Sequence, residues 1–326
     1  MGLAPARPTH RQTVGRLLGL EREAHEVADR LPELLLDAKR IAATVAHGIH
    51  GRRRSGPGET FWQFRQLQAG DSVQLIDWRR SASSDHLYVR EREWEAAHTV
   101  WLWPDLSASM DFASALSAVT KRDRALVLTL AIAELLVRGG ERVALMGLTP
   151  PTASRKATSR MAETIAAHAG SEQLASSLPP KARLSRFSGA ILFGDFLDPI
   201  ATIRTSLDEI AATGVTGHLV QVLDPAEETL PYEGRTEFLG LEGDERWIAD
   251  RTESLRPEYQ RRLAAHRAAL QEITRNLGWS YMVHHTDRPA SEPLLALLMH
   301  LHGGAGGGYR WHGGAASSDA AKRGQS

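Results

Sequence analysis

A chain of 326 residues is long enough for one large domain or two ordinary ones, and its 42% apolar and 24% charged residues are those of a globular protein rather than a disordered one. The 39 basic and 39 acidic residues cancel, which removes any global pull toward nucleic acid or an anionic membrane. The absence of cysteine excludes disulfides, thiolate nucleophiles and Cys-ligated metal clusters; with no signal-peptide pattern and no bilayer-length apolar run, the expected compartment is the cytoplasm, without membrane insertion.

Residues 1–50 read as an amino-terminal helical arm, because apolar positions between about Thr13 and His47 recur at helical spacing, with an interruption expected near Pro32. A basic loop follows, "HGIHGRRRSGPGETFWQFRQLQAGD", whose Gly and Pro residues argue against regular structure around Gly51 to Gly58. Arg52, Arg53 and Arg54 within it read as a solvated run. "DHLYVREREWEAAHTVWLWPD" then reads as extended chain.

From residue 98 the pattern alternates. "HTVWLW" is a predicted strand, "RDRALVLTLAIAELLVRGG" a helix apolar nearly all round, "RVALMGL" a strand and "SRMAETIAAHAGSEQLASSL" a helix. "GAILFGD" is a strand, "DPIATIRTSLDEIAATG" a helix with Asp198 as its cap, and "GHLVQVLDP" a strand. "TEFLGLEGDERWIAD" predicts a hairpin around Gly243-Asp244, followed by a helix from about Pro257 to Leu277, a strand "WSYMVHHT" and a helix "SEPLLALLMHLH". The tail, 303–326, is low in complexity and is expected to be disordered. Strands alternating with helices predict an α/β fold, a mostly parallel sheet with helices on both faces.

Two of these strands end in an acid. In "TVWLWPDLSASMDF" the apolar run stops at Asp105, with Ser107 and Ser109 at alternate positions, and "AILFGD" stops at Asp195. Parallel strands bring both acids to one carboxyl-edge rim, where open α/β sheets bind ligands. Three hard oxygen donors suit Mg²⁺; equally, Asp105 and the serines could simply cap the following helix. Two carboxylates brought close there need a cation between them, or one must take up a proton. The histidine pairs are incidental: His284 and His285 alternate on a strand, and His300 and His302 are two apart on a helix.

"DLSASM" resembles the DxSxS element of von Willebrand factor A-type domains, in which that motif, a threonine from a second loop and an aspartate from a third form a metal-ion-dependent adhesion site. Asp195 in "FGDF" matches the third-loop aspartate, and Thr149, Thr152 and Thr158 are the threonines on offer. Upstream, "RQLQAGDSVQLIDWRRSASSDHLYVREREWE" resembles the signature of the bacterial domain of unknown function 58 family, departing from it at Leu67, Ser72, Gln74 and Ser83.

The resemblance implies a von Willebrand factor A-like, Rossmann-like domain over 98–302, preceded by the arm and by a signature segment over 51–97. It implies a divalent cation, Mg²⁺ with Mn²⁺ or Ca²⁺ as alternatives, on Asp105, Ser107, Ser109 and Asp195, with Thr158 as a fifth ligand. It also implies a partner, an AAA+ ATPase of the MoxR type acting with the chain in chaperone-like assembly or maturation of a client protein. In the signature, Asp71, Asp77, Trp78, Arg79 and Arg80 offer ion pairs and arginine stacking on an indole, either as a partner surface or as a structural anchor. No phosphate loop, nucleophile elbow or zinc helix is present, so the expected function is metal-dependent protein–protein interaction without catalysis. The alternatives are a scaffold with a vacant site and a metal-dependent hydrolase built on the two acids.

Overall fold

A computed structural model of the chain describes residues 29–46, 61–67, 73, 76–82, 84, 86–92, 98–171, 174–241 and 246–302. The chain divides into two compact units, one of Met1–Gly48 with His98–Ser326 and one of Ile49–Ala97. Helix α1, residues 29–46, belongs to the larger unit. Its buried Leu31, Ala38, Ala42 and Val45 form one helical stripe, and Arg30 reaches the carboxylate of Asp123. Pro32 lies within the described helix, three residues after its first described position, and the chain is not interrupted there.

In the smaller unit β1 (Phe61–Gln66) pairs antiparallel with β2 (Tyr88–Arg92). β1 falls inside the segment expected to be a loop; its aromatic residues favour a strand, and the Gly-rich part of that segment, with Arg52 to Arg54, lies outside the described residues. Between the strands, Asp77 caps the single turn α2 (Trp78–Ser81) by accepting from the Arg80 N–H at 2.9 Å. The Ser81 hydroxyl then accepts from the Tyr88 N–H at 2.9 Å and ties that turn to β2.

The larger unit continues with β3 (Thr99–Pro104), α3 (Lys121–Arg138), β4 (Arg142–Leu145), α4 (Ala157–His168), β5 (Gly189–Gly194), α5 (Ile200–Ala211), β6 (Thr216–Leu223) and α6 (Pro225–Thr229). After these come β7 (Thr236–Leu239), β8 (Arg246–Ala249), α7 (Thr252–Asn276), β9 (Ser280–His285) and α8 (Ser291–His302). Five strands form one sheet in the order β4-β3-β5-β6-β9, with every neighbouring pair parallel. An antiparallel bridge between Val143 and Thr152 adds to the β4 edge. β7 and β8 pair as a separate antiparallel hairpin, whose turn at Gly243-Asp244 lies outside the described residues.

Side-chain alternation sorts the sheet's two faces. Trp101, Trp103, Ala190, Leu192 and Leu219 pack with Ile203, Leu207 and Ile210 of α5 and with Leu270 and Ile273 of α7. The opposite face receives α3, buried along nearly its whole length, which explains a helix without a polar stripe.

Three boundaries differ from the expectation. Pro199, not Asp198, stands at the cap of α5. α4 stops at His168 instead of continuing toward Leu178. α7 starts at Thr252 rather than Pro257, because the Thr252 N–H and hydroxyl both donate to the Gly234 carbonyl and anchor a first turn ahead of the proline.

Gly217 of β6 lies beneath the Trp279 indole, so close that a Cβ there would sit well inside van der Waals contact of the ring. Gly217→Ala is expected to lower stability in denaturant unfolding by about 1–3 kcal/mol, because the ring must leave its place in the core; an unchanged midpoint would show that the indole can shift at no cost.

Candidate functional site

The strand order reverses between β3 and β5: the chain leaves β3 for β4 on one side and returns to β5 on the other. In open α/β sheets such a switch point leaves a crevice at the carboxyl ends of the two strands. Asp105 follows β3 and Asp195 follows β5, so both predicted acids stand at this crevice. The Asp105 N–H donates to the Phe193 carbonyl at 2.7 Å, which continues the β3–β5 ladder into the site.

The first loop holds itself in shape. Asp105 Oδ1 accepts from the Ser107 N–H at 2.9 Å, and a 3₁₀ turn follows over Ala108–Asp111. Arg122 clamps the loop from below: its guanidinium donates to the Leu106 and Ser107 carbonyls at 3.0 and 3.2 Å and pairs with Asp111 at 2.7 Å. Ser107 Oγ and Ser109 Oγ are 3.1 Å apart, and Ser109 Oγ donates to Asp195 Oδ2 at 2.9 Å. Two loops 86 residues apart in sequence thus join in one chain of oxygens.

The second loop is fixed from its own side. The Asp195 carbonyl accepts from Gln221 Nε2 at 2.8 Å, and Tyr281 donates to Gln221 Oε1 at 2.6 Å, which sets the orientation of that amide. Phe196 adopts φ +48, a region side chains rarely visit, and its ring is fully buried against Trp103. Gly194 is required for another reason: a Cβ there would stand 3.0 Å from the Asp105 Cβ and 3.2 Å from its Oδ2. The Asp105 carboxylate occupies the space that the glycine leaves.

Asp105 is fully buried, and its Oδ2 has no hydrogen-bond partner. Burial first, and the nearby Asp195 charge second, push its carboxyl up to about 7. Asp195 is compensated. Lys121, the first residue of α3 and itself buried, donates to Asp195 Oδ2 at 2.9 Å and to Glu227 Oε1 at 2.6 Å. Burial works against the Lys121 charge, but the two carboxylates outweigh it and raise its pKa. Burial likewise raises Glu227.

The structure brings together Asp105, Ser107, Ser109 and Asp195 and does not bring Thr158 to them. Thr158 is buried in the first turn of α4 and donates to Glu134 at 2.7 Å, 13 positions along α3 from Lys121, or about 20 Å at the rise of a helix. Thr149 is turned inward to accept from the Leu145 N–H, and Thr152 lies on the sheet edge. Among the described residues no three His, Cys, Asp or Glu side chains gather as a metal centre; the donors at Asp105 are one carboxylate and two hydroxyls.

Of the signature residues, Asp71 lies outside the described residues, and Asp77 serves as the α2 cap. Trp78, Arg79 and Arg80 are exposed, and the Arg80 guanidinium lies over the Tyr88 ring, 5.8 Å from its centroid. Sequence reasoning missed Lys121, Glu227, Arg122 and Gly194. The first turn of α3 reads Lys-Arg-Asp-Arg, the pattern of an ordinary solvated helix end, so no local signal marked Lys121 as a buried charge with partners.

A cleft of about 1060 Å³ opens from this rim, running from Ser109, Lys121 and Asp195 to an apolar wall that includes Leu197, Phe238 and Leu239. No helix among the described residues is long and apolar enough to cross a membrane.

The family described as "Protein of unknown function DUF58" matches residues 63–269. "Uncharacterized protein Rv1480" of Mycobacterium tuberculosis H37Rv and "Uncharacterized protein Mb1516" of Mycobacterium bovis are each 31% identical over 298 residues, covering 87% of this chain and 93% of the relative. Two solved structures are similar at lower levels. An aerotolerance-related membrane protein from Bacteroides fragilis has TM-score 0.35 and 17% identity, covering 62% of this chain and 98% of that one. The conserved hypothetical protein BatB from Bacteroides thetaiotaomicron has TM-score 0.32 and 15% identity, covering 63% and 98%.

Asp105 binds its proton more tightly folded than unfolded between pH 3.8 and about 7. Without added metal, this group's contribution to stability is therefore greatest at low pH and is lost as pH rises through that window, by on the order of a few kcal/mol. Asp105→Asn is expected to flatten this part of the stability profile in denaturant titrations at stepped pH; parallel profiles for the two proteins would refute the assignment. Gly194→Ala, by displacing the carboxylate, is expected to disturb the site at a stability cost of about 1–3 kcal/mol, measured in the same titrations.

Proposed function

This chain belongs to the family described as Protein of unknown function DUF58, and we propose that it is a metal-dependent protein–protein interaction module of the von Willebrand factor A type. In this reading it acts with an AAA+ ATPase of the MoxR class in the assembly or maturation of a client protein. One observation carries the metal reading: Asp105 Oδ2 is buried without a hydrogen-bond partner, at the switch point of a parallel sheet and at the head of the loop that carries the paired Ser107 and Ser109 hydroxyls. A buried carboxylate oxygen left unpaired is costly, and a hard cation relieves that cost.

Asp105, Ser107 and Ser109 would hold the ion, Mg²⁺ before Mn²⁺ or Ca²⁺, with Asp195 joined to them through the Ser109 hydroxyl. When bound, such a cation supplies a coordination position that a carboxylate of the partner can fill. The chain's own residues do the remainder: Arg122 keeps the serine loop in place, Gly194 leaves room for the Asp105 carboxylate, and Gln221 fixes the backbone of Asp195. The partner class rests on the resemblance of the "GDSVQLIDW" signature.

A second reading, a scaffold that needs no ion, draws on Asp195, whose Oδ2 already accepts from both Ser109 and Lys121.

Thermal unfolding of the wild type and of Asp105→Ala, in chelator and then in millimolar Mg²⁺, separates the two. A ligand at a hundred times its dissociation constant stabilises by about 2.7 kcal/mol, so Mg²⁺ is expected to raise the melting temperature of the wild type and not that of the variant. Capture of a MoxR-type ATPase is expected to require Mg²⁺ and Asp105. Capture that is indifferent to both would leave the scaffold reading standing.

A further inference from the structure

Among the described residues Lys121 is one of the large side chains that are fully buried, at 1% exposure. Its place is electrostatically adverse twice over. Burial strips water from the ammonium, and the first position of a helix puts a cation at the positive end of the helix dipole. Among the described residues, the carboxylates of Asp195 and Glu227 hold it there, at 2.9 and 2.6 Å. Of these, Glu227 is itself tied down, since its Oε2 accepts from the Asp224 N–H at 2.8 Å in the capping box of α6. The ammonium is therefore a fixed part of the rim.

Its position divides the two aspartates. Asp195 Oδ2 is shared between Lys121 and Ser109, whereas Asp105 Oδ2 has no partner. A divalent ion entering the rim meets one uncompensated carboxylate, not two, and a positive charge already resident on the second.

We propose that Lys121 is a built-in cation of this site, which occupies Asp195, confines a divalent ion to Asp105 and the two serine hydroxyls, and holds the affinity for that ion down. The inference rests on the reading of Asp105, Ser107 and Ser109 as an ion site. It makes Asp195 an outer group and Lys121 the residue that sets how readily the site loads: neutralising Lys121 frees Asp195 Oδ2 and removes the like charge, so the ion should bind more tightly.

The test is calorimetric titration of Mg²⁺ into the full-length wild type, Lys121→Met and Lys121→Met/Asp105→Asn, each checked for folding by circular dichroism. Lys121→Met is expected to bind Mg²⁺ at least about tenfold more tightly than the wild type, and adding Asp105→Asn is expected to abolish that gain. A merely structural lysine gives no gain of affinity when it is removed. Should Lys121→Met fail to fold, Lys121→Met/Glu227→Gln removes one charge of each sign and is titrated in its place.

If the wild type binds Mg²⁺ and the lysine variant binds it no more tightly, the ion site stands and the role of Lys121 falls. If only the lysine variant binds, Lys121 is the resident cation and the wild-type site is not a metal site on its own. If neither binds, both readings fall.

Discussion

Two aspartates at the carboxyl ends of adjacent parallel strands cannot both be buried and charged unless positive charge is brought to them, and this requirement shapes the rim of the sheet. Lys121 meets it for Asp195, at the cost of burying an ammonium at a helix N-terminus. Asp105 is left with its carboxyl pushed up to about 7 by burial and by Asp195. The asymmetry between a paired and an unpaired carboxylate is the chemical character of the site, and the surrounding loops are arranged to hold it.

The same lysine joins the rim to the helices beyond it. Glu227, its second partner, sits in the capping box of α6, and Tyr259 of α7 donates to the Glu227 carbonyl. The next residue, Glu228, is held by Arg267 through two hydrogen bonds at 2.6 and 2.8 Å and is also bonded to His285; those contacts, the arginine's first, bring its carboxyl down to about 2. A five-residue helix has little stability of its own. α6 is instead pinned from α3, α7 and β9 together, which connects the carboxylate rim to the apolar wall of the cleft. Asp224, which follows β6 and caps α6, accepts from both the N–H and the hydroxyl of Ser114, so this third rim acid anchors the loop before α3.

The smaller unit contributes differently. Its Asp77 does local work as a helix cap, while Trp78 is 61% exposed with exposed arginines beside it. Every residue of the carboxylate site belongs to the larger unit.

The sequence by itself determined the α/β alternation, the parallel sheet and the placement of Asp105, Ser107, Ser109 and Asp195 at strand ends. Those follow from local periodicity and from the rule that parallel strands share one carboxyl edge. β1 was hidden because its aromatic run adjoins a Gly- and Pro-rich stretch, and the extra first turn of α7 because it depends on a carbonyl at Gly234. Only the tertiary structure decided that Thr158 turns to Glu134 and away from the rim, that Gly194 makes room for a carboxylate 89 positions earlier, and that Lys121 and Glu227 close the site. Those outcomes are pairings between elements far apart in the chain. No local pattern records them, because a buried charge is placed by the partner it finds and not by its neighbours in sequence.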